Sequence, residues 1–227
     1  MDELDLSRYE SVGRRLAWGV VDRCITSGQI EIEGMTDEEV VNTILFDFLN
    51  SPDTDDSASE RGSSSSDDEI YVVTDHSEDL LHKAIEAMGS EEYWFAILFY
   101  ATWVEHWINN ILISLRRRSN VPEGVALALV RSCGFNLKMK DVWTSFGATL
   151  IEKDVMRTMT ELMELRNGFV HYKWQARMSS DKERQDQRVK EVALEGQKLI
   201  TILQEIENQV LFLGRRKSLR AQLGLSD

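Results

Sequence analysis

The stretch SEEYWFAILFYATWVEHWINNILISLRRR, residues 90–118, decides the fold. Ser90 is a residue type that favours helix N-caps, and the three arginines at the other end suit the negative end of a helix dipole. Between them lies a dense series of aromatic side chains: Tyr93, Trp94, Phe95, Phe99, Tyr100, Trp103 and Trp107. The pattern predicts one long helix, whose aromatic residues are typical of a bundle core or a dimer surface.

The residues on both sides of this helix also show helical patterns. Ser77 is expected to cap a preceding helix that Gly89 closes, and Pro122 and Gly134 bound the next one. Further helical patterns follow at 137–146, 149–167 and 181–213. No alternating strand series is legible. The sequence therefore predicts an all-α protein.

Composition divides the chain into four parts. Residues 77–214 are predicted to form an antiparallel helical bundle of about five helices, and residues 215–227 a basic C-terminal tail. Residues 1–49 are predicted to be a small helical N-terminal appendage of two helices. The first runs from about Ser7 to Ile25, and the second begins at Thr36, where Thr36 and Glu39 have the spacing of a capping box.

Residues 50–76 are predicted to be a disordered acidic linker. Seven serines and seven acidic residues occur within residues 50–69, and the apolar side chains there are only those of Pro52 and Ala58. Such a segment cannot bury enough surface to offset its ordering entropy. The run at 70–73, IYVV, is predicted to be a short strand or an extended docking segment.

Charge is distributed unevenly along the chain, whose net charge is −13. Residues 1–92 carry 24 acidic and 6 basic residues, whereas residues 93–227 carry 15 acidic and 20 basic residues. Phosphate contact needs local positive charge, so the overall acidity does not exclude an RNA substrate. Two hypotheses for the acidic segment stay open: a polyanion that competes with RNA for a cleft, or a solubilising or partner-docking extension.

A cytoplasmic location without a membrane span is expected from the same composition. The longest uncharged apolar run, Tyr93 to Val104, is shorter than the roughly 18–20 residues that a span needs. The N-terminus lacks the features of a signal peptide. Cys24 and Cys133 are far apart and give no disulfide or zinc framework, which suits a reducing compartment.

A compact polar motif stands near the end of the 149–167 pattern, where residues 164–172 read ELRNGFVHY. Arg166 supplies a permanent cation with five donors in a fixed fork, which suits the oxygens of a phosphodiester. His171 can take up and return a proton near neutral pH, and Asn167 adds a neutral donor and acceptor. None of the other three histidines has an arginine five positions before it.

At these residues the chain resembles the HEPN superfamily (higher eukaryotes and prokaryotes nucleotide-binding). Its signature is an arginine followed, after four to six residues, by a histidine, often with Asn, Asp or His directly after the arginine. Arg166, Asn167 and His171 match that pattern, and the resemblance covers residues 77–213. It implies a helical bundle that forms a homodimer, in which two copies of the motif face each other in a cleft.

The resemblance also implies metal-independent cleavage of RNA, without a cofactor. A base removes the proton of a ribose 2′-OH, the oxygen attacks the adjacent phosphorus, and an acid protonates the leaving 5′-oxygen. The products are a 2′,3′-cyclic phosphate and a 5′-OH end. His171 would act as general base or acid, Arg166 would hold the non-bridging oxygens, and Asn167 would orient either partner or the phosphate.

Enzymes of this kind serve in bacterial defence and toxin–antitoxin systems, so an antitoxin or regulatory protein is an expected partner beside RNA. Toxins of the superfamily that are paired with a small nucleotidyltransferase often carry a tyrosine two residues after the histidine. Lys173 stands at that position here, with Tyr172 one residue early. Regulation by tyrosine nucleotidylation is therefore not expected.

The spacing of the motif leaves alternatives open. In a regular helix Arg166 and His171 would lie about 140° apart and would not share a face. Either the helix loosens or ends near Gly168, or the two residues serve a composite site across a dimer axis, as the resemblance implies. In a purely structural alternative, Arg166 pairs with Glu161 or Glu164 and His171 caps the helix. The chain would then be an inactive helical module that binds RNA, nucleotide or a protein partner.

Other polar residues give weaker signals. Glu105 and Asn109 are an i, i+4 pair on the aromatic helix, and they are interpreted as support for the cleft or as a buried hydrogen-bonded pair. His76, His82 and His106 are interpreted as ordinary polar positions on helices. Three arginines are interpreted either as phosphate contacts or as the cations expected at a helix C-terminus: Arg116, Arg117 and Arg118. No metal site is predicted from them.

Overall fold

The computed structural model of the protein describes residues 6–50, 76–119, 121–148, 151–171 and 179–225. Every regular element in these ranges is helical, which confirms the all-α prediction. Within them, no helix combines the length and the apolar character that crossing a membrane requires. The run at 70–73, nearly all of the predicted linker, Tyr172 and Lys173 lie outside the described residues.

Ten α-helices and one π-helix follow one another in the described ranges. The helices at the two ends of the chain are α1 (Leu6–Thr26), α2 (Asp37–Asn50), α9 (Ser179–Phe212) and α10 (Arg216–Gln222). Those between them are α3 (Ser77–Gly89), α4 (Tyr93–Arg118), α5 (Glu123–Ser132), α6 (Phe135–Leu137), α7 (Trp143–Ser145) and α8 (Lys153–Val170). The π-helix, Lys138–Val142, joins α6 to α7 without a break.

Four long helices form the bundle and alternate in direction. A three-residue turn joins α3 to α4, so these two run antiparallel. Phe169 of α8 stacks on Trp94 near the start of α4, and Tyr93 at that same end of α4 lies beneath Lys190 of α9. Helix α8 therefore runs antiparallel to α4, whereas α4 and α9 run in the same direction. The contact between Tyr100 of α4 and Gly196 of α9 agrees with this shared direction. Helices α4, α8 and α9 pack against one another, and α3 packs against α4.

The turn between α3 and α4 differs from the predicted one. The prediction that Ser90 caps α4 is wrong, because the Ser90 amide instead donates to the carbonyl of Glu86 and ends α3. Glu91 then takes a left-handed backbone conformation (φ +59°), which reverses the chain before α4 begins at Tyr93. Ser77 is likewise the first residue of α3, with His76 in the N-cap position.

The predicted capping box at the start of α2 is confirmed. The Glu39 amide donates to the Thr36 hydroxyl at 3.2 Å, and the Thr36 amide donates to the Glu39 carboxylate at 2.7 Å. The Thr36 hydroxyl also donates to the Glu39 carboxylate, at 2.8 Å. The two bonds to the carboxylate, first that of the backbone amide and then that of the hydroxyl, lower the pKa of Glu39. Asp37, the first residue of α2, is bound by Arg215 from the other end of the chain at 2.5 Å.

The two N-terminal helices dock on the C-terminal end of α9 and on α10. The ring of Trp18 in α1 stacks on that of Phe212 at a centroid distance of 6.2 Å, and Arg216 binds Asp22 at 2.8 Å. Leu219 of α10 is fully buried. The sequence predicts only a basic tail after Gly214, whereas most of these residues form α10, which packs against α2.

A stack of three tryptophans holds the 135–145 segment against α4. Trp103 stacks on Trp107, and Trp107 stacks on Trp143 at a centroid distance of 5.8 Å. All three rings are buried. Aromatic stacking of this kind adds to the energy of area burial, so the stack fixes the π-helix at a definite height along α4.

Removing the buried side chain of α10 tests whether this helix is an integral part of the fold. We expect Leu219→Ala to lower the free energy of unfolding by about 2–5 kcal/mol, because it leaves a cavity in a fully buried site. Leu49→Ala, at a position 77% exposed, is the matched control and should change stability by less than about 0.5 kcal/mol. Urea unfolding of the full chain measures both, and equal effects would contradict the packing of α10.

Candidate functional site

Arg166 reaches from α8 across to α4. Helix α8 buries one face against the bundle, and Arg166 lies at the edge of that face with its side chain 23% exposed. Its guanidinium donates to the Glu105 carboxylate at 2.5 Å. Side chains in a helix lean towards its N-terminus, and because α8 runs antiparallel to α4 this lean carries Arg166 towards Glu105. The ion pair thus follows from the direction of the two helices.

The pairing of Arg166 with Glu161 or Glu164, which the structural alternative required, is wrong. Glu161 is bound by Arg188 of α9, and Glu164 is exposed on the outer face of α8. The partner of Arg166 comes from a residue 61 positions earlier in the chain. A short-range pattern on one helix therefore could not identify it.

Asn167 and His171 occupy the exposed end of α8. The helix stays regular through Gly168, which is buried, and ends at Val170. The prediction that the helix ends near this glycine is therefore confirmed, whereas a loosening at Gly168 itself is wrong. His171 takes the C-cap position, and its amide donates to the carbonyl of Asn167 at 3.0 Å. Both side chains are exposed. The imidazole therefore faces solvent at the helix end, where cations are favoured.

The structure does not bring Arg166 and His171 together within one chain. No hydrogen bond or ion pair joins the guanidinium to the imidazole, and the intact helix turns the two residues about 140° apart. Arg166 points inward to α4, whereas His171 points outward. Any chemistry that uses both on one phosphodiester therefore needs a second surface.

Glu105 and Asn109 do not form a hydrogen-bonded pair with each other, so that interpretation is wrong. Each of them binds a side chain from a different helix. Lys138, the first residue of the π-helix, donates from its ammonium to the Asn109 side-chain oxygen at 2.7 Å. Only 6% of Lys138 is exposed. Burial lowers the pKa of this lysine, and the negative charge of Glu105 acts in the opposite direction. One face of α4 therefore gathers two cations from two other elements.

No pattern in the sequence points to Lys138 as a residue of the site. The residue lies in the 137–146 helical pattern, where an isolated lysine is normally a solvated position. The π-helix shifts the register of this segment, so a period of 3.6 residues does not describe which side chains face α4. Nothing in the spacing of the sequence signals the contact.

An exposed apolar patch lies beside the motif. The ring of Phe169 stacks on Trp94 at 5.2 Å and meets Phe95 edge-on at 6.3 Å. Phe95, Phe169 and Val170 are all exposed. Contiguous exposed aromatic and aliphatic surface of this kind is typical of a contact surface.

The other predicted candidates do not gather into a site. His76 and His82 face Asp79 and Glu86 on the exposed surface of α3, and His106 is exposed. Across the described ranges, no group of three or more metal-ligating side chains is close enough to hold an ion.

The described part of the acidic N-terminal segment lies at the opposite end of the bundle from the motif. Trp18 packs on Phe212 at the end of α9, whereas the motif end of α8 lies level with Lys190. At 1.5 Å per residue, Phe212 is about 33 Å along α9 from Lys190. Helices α1 and α2 therefore do not cover the motif.

No family model, curated protein or solved structure matches the chain. Membership of the HEPN superfamily stays a prediction carried by Arg166, Asn167 and His171.

The buried lysine gives a test of the site by pH. Between the lowered pKa of Lys138 in the folded state and its ordinary value of 10.5, the unfolded chain holds a proton that the folded chain has released. The stability of the parent therefore gains from rising pH in this range, and Lys138→Met lacks this gain. We expect the free energy of unfolding of the parent, minus that of the variant, to increase as the pH rises from neutral towards 10.5.

Urea unfolding at several pH values measures this difference. Lys140→Met, at an exposed position two residues further on, is the control for loss of a lysine charge, and its difference should change less with pH. The difference in free energy of unfolding between the parent and Lys138→Met could instead stay constant or decrease as the pH rises. That result would contradict the burial of a charged Lys138 at neutral pH.

Proposed function

We propose that this chain is a metal-independent endoribonuclease of the HEPN type. The observation that supports it best is the ion pair between Arg166 and Glu105, at 2.5 Å. A carboxylate from another helix binds Nη2 and fixes the direction of the guanidinium, which leaves the donors of Nη1 for the oxygens of a phosphate. A donor stabilises the charge of a transition state best when its orientation is fixed before the reaction.

His171 and Asn167 supply the remaining groups of the proposed reaction. His171 removes the proton of the ribose 2′-OH or delivers a proton to the leaving 5′-oxygen, and its exposure at the end of α8 lets substrate reach the ring. Arg166 holds the non-bridging oxygens, and Asn167 orients either partner or the phosphate. The oxygen that attacks phosphorus comes from the RNA itself, so no metal-bound water is required.

A homodimer completes the proposed site. One chain turns Arg166 and His171 to different sides of α8, so the two can act on one phosphodiester only when a second copy brings its own motif opposite. The exposed apolar patch of Phe95, Phe169 and Val170 lies beside the motif and offers surface for that contact. RNA is the proposed substrate and the cytoplasm the proposed location, in a defence or toxin–antitoxin setting with an antitoxin or regulatory partner.

A catalytically inactive binding module is the second candidate. It is favoured by the absence of a contact between Arg166 and His171, and by the neutralisation of the guanidinium by Glu105. Such a module would bind RNA, nucleotide or a protein partner through the same end of α8 and leave RNA uncut.

Replacement of the motif residues separates the two candidates. We expect Arg166→Ala and His171→Ala each to lower the rate of RNA cleavage in EDTA by at least about a hundredfold, because one removes the oxygen-binding cation and the other the proton carrier. Arg157→Ala is the matched control, since Arg157 is an exposed arginine on the outer face of the same helix. A fluorescent RNA oligonucleotide reports the rates, and circular dichroism checks the folding of each variant.

Variants that cut RNA as fast as the parent would contradict the proposed roles. A parent that binds the oligonucleotide without cutting it would instead support the binding module.

A further inference from the structure

We propose that Lys138 is a positioning residue of the candidate site, which acts through Asn109 and Glu105 to hold the Arg166 guanidinium ready for one phosphodiester. This inference rests on the proposed function and extends it to a residue outside the Arg–His motif. Three separate elements, α4, α8 and the π-helix, contribute side chains to one polar cluster.

The cluster is organised by one face of α4. Glu105 and Asn109 lie one helical turn apart, so their side chains stand side by side. Glu105 accepts a bond from Arg166 at 2.5 Å, and Asn109 accepts one from Lys138 at 2.7 Å. The negative charge of Glu105 also raises the pKa of Lys138, against the larger lowering by burial. The Glu105 carboxylate therefore interacts electrostatically with both Arg166 and Lys138.

The placement of Lys138 is unfavourable for stability alone. A lysine normally extends its charged head into water, whereas 94% of this residue is covered. Burying an ammonium is unfavourable, and an apolar residue of similar volume in such a place is often neutral or stabilising. The stack of Trp107 on Trp143 holds the π-helix so that the lysine has to face α4. A costly, sequence-specified charge in a site of this kind indicates a functional role.

The charges of the cluster add up to a preference for a single anion. Arg166 and Lys138 contribute two positive charges and Glu105 one negative charge, which leaves an excess of one positive charge. A phosphodiester carries one negative charge, so its arrival makes the cluster neutral. Without Lys138, the incoming phosphate would meet only the balanced pair of Glu105 and Arg166, and it would compete with the carboxylate for the guanidinium.

A double-mutant cycle tests whether Lys138 acts through Glu105. We expect Lys138→Met to lower kcat for RNA cleavage by about tenfold to a hundredfold through misplacement of the guanidinium, and Lys138→Arg to restore part of it. In a Glu105→Gln background, Lys138→Met should change kcat by less than about twofold, because the connection to Arg166 is already broken. Lys140→Met, in the same π-helix but exposed, should leave kcat unchanged.

A spectroscopic signal makes the test independent of cleavage. The NMR resonance of the Arg166 Nε–H group, identified by its absence in Arg166→Lys, should shift or broaden in Lys138→Met and keep its position in Lys140→Met. If the parent does not cut RNA, the proposed function fails, while this resonance still decides the role of Lys138. If Lys138→Met does not fold, Asn109→Ala, which leaves the lysine in place and removes its acceptor, serves in the same measurements.

Two results would overturn the inference. One is an unchanged Arg166 resonance in a folded Lys138→Met protein. The other is a loss of kcat for Lys138→Met that is as large in the Glu105→Gln background as in the parent.

Discussion

The ion pair between Arg166 and Glu105 sets the direction of the guanidinium on which the candidate site depends. Both side chains are partly exposed, at 23% and 44%, so the pair contributes only about 1 kcal/mol or less to stability. Its importance is geometric. The antiparallel packing of α8 on α4 brings the two groups within reach, and the carboxylate then selects one orientation of a flexible side chain. The apolar core thus sets the position of Arg166, and the ion pair sets the direction of its guanidinium.

The face of α4 that carries Glu105 also connects the guanidinium to the rest of the fold. The stacked rings of Trp103, Trp107 and Trp143 fix the π-helix, and the π-helix delivers Lys138 to Asn109. At the far end of the bundle, α1, α2 and α10 close the core around Phe212. The aromatic residues of α4 therefore have two roles, since they build the core and also align the elements that carry charge.

The sequence predicted the features that depend on neighbours along the chain. Helix positions followed from apolar spacing and from residues such as Thr36 and Glu39, whose capping box forms as expected. The contacts that depend on distant residues were not predictable in this way. Arg166 binds Glu105 instead of a neighbour on its own helix, and Lys138 faces inward because a π-helix shifts its register. Helix α10 is too short for a clear period and is held by partners near the other end of the chain.

The central claim is that a guanidinium and an imidazole act together on a phosphodiester without a metal ion. Incubation of the purified full chain with total RNA in EDTA, followed by analysis of the ends produced, tests it most directly. Attack by the 2′-oxygen predicts fragments that end in a 2′,3′-cyclic phosphate and begin with a 5′-OH. Intact RNA, or fragments with 3′-OH and 5′-phosphate ends, would contradict the claim.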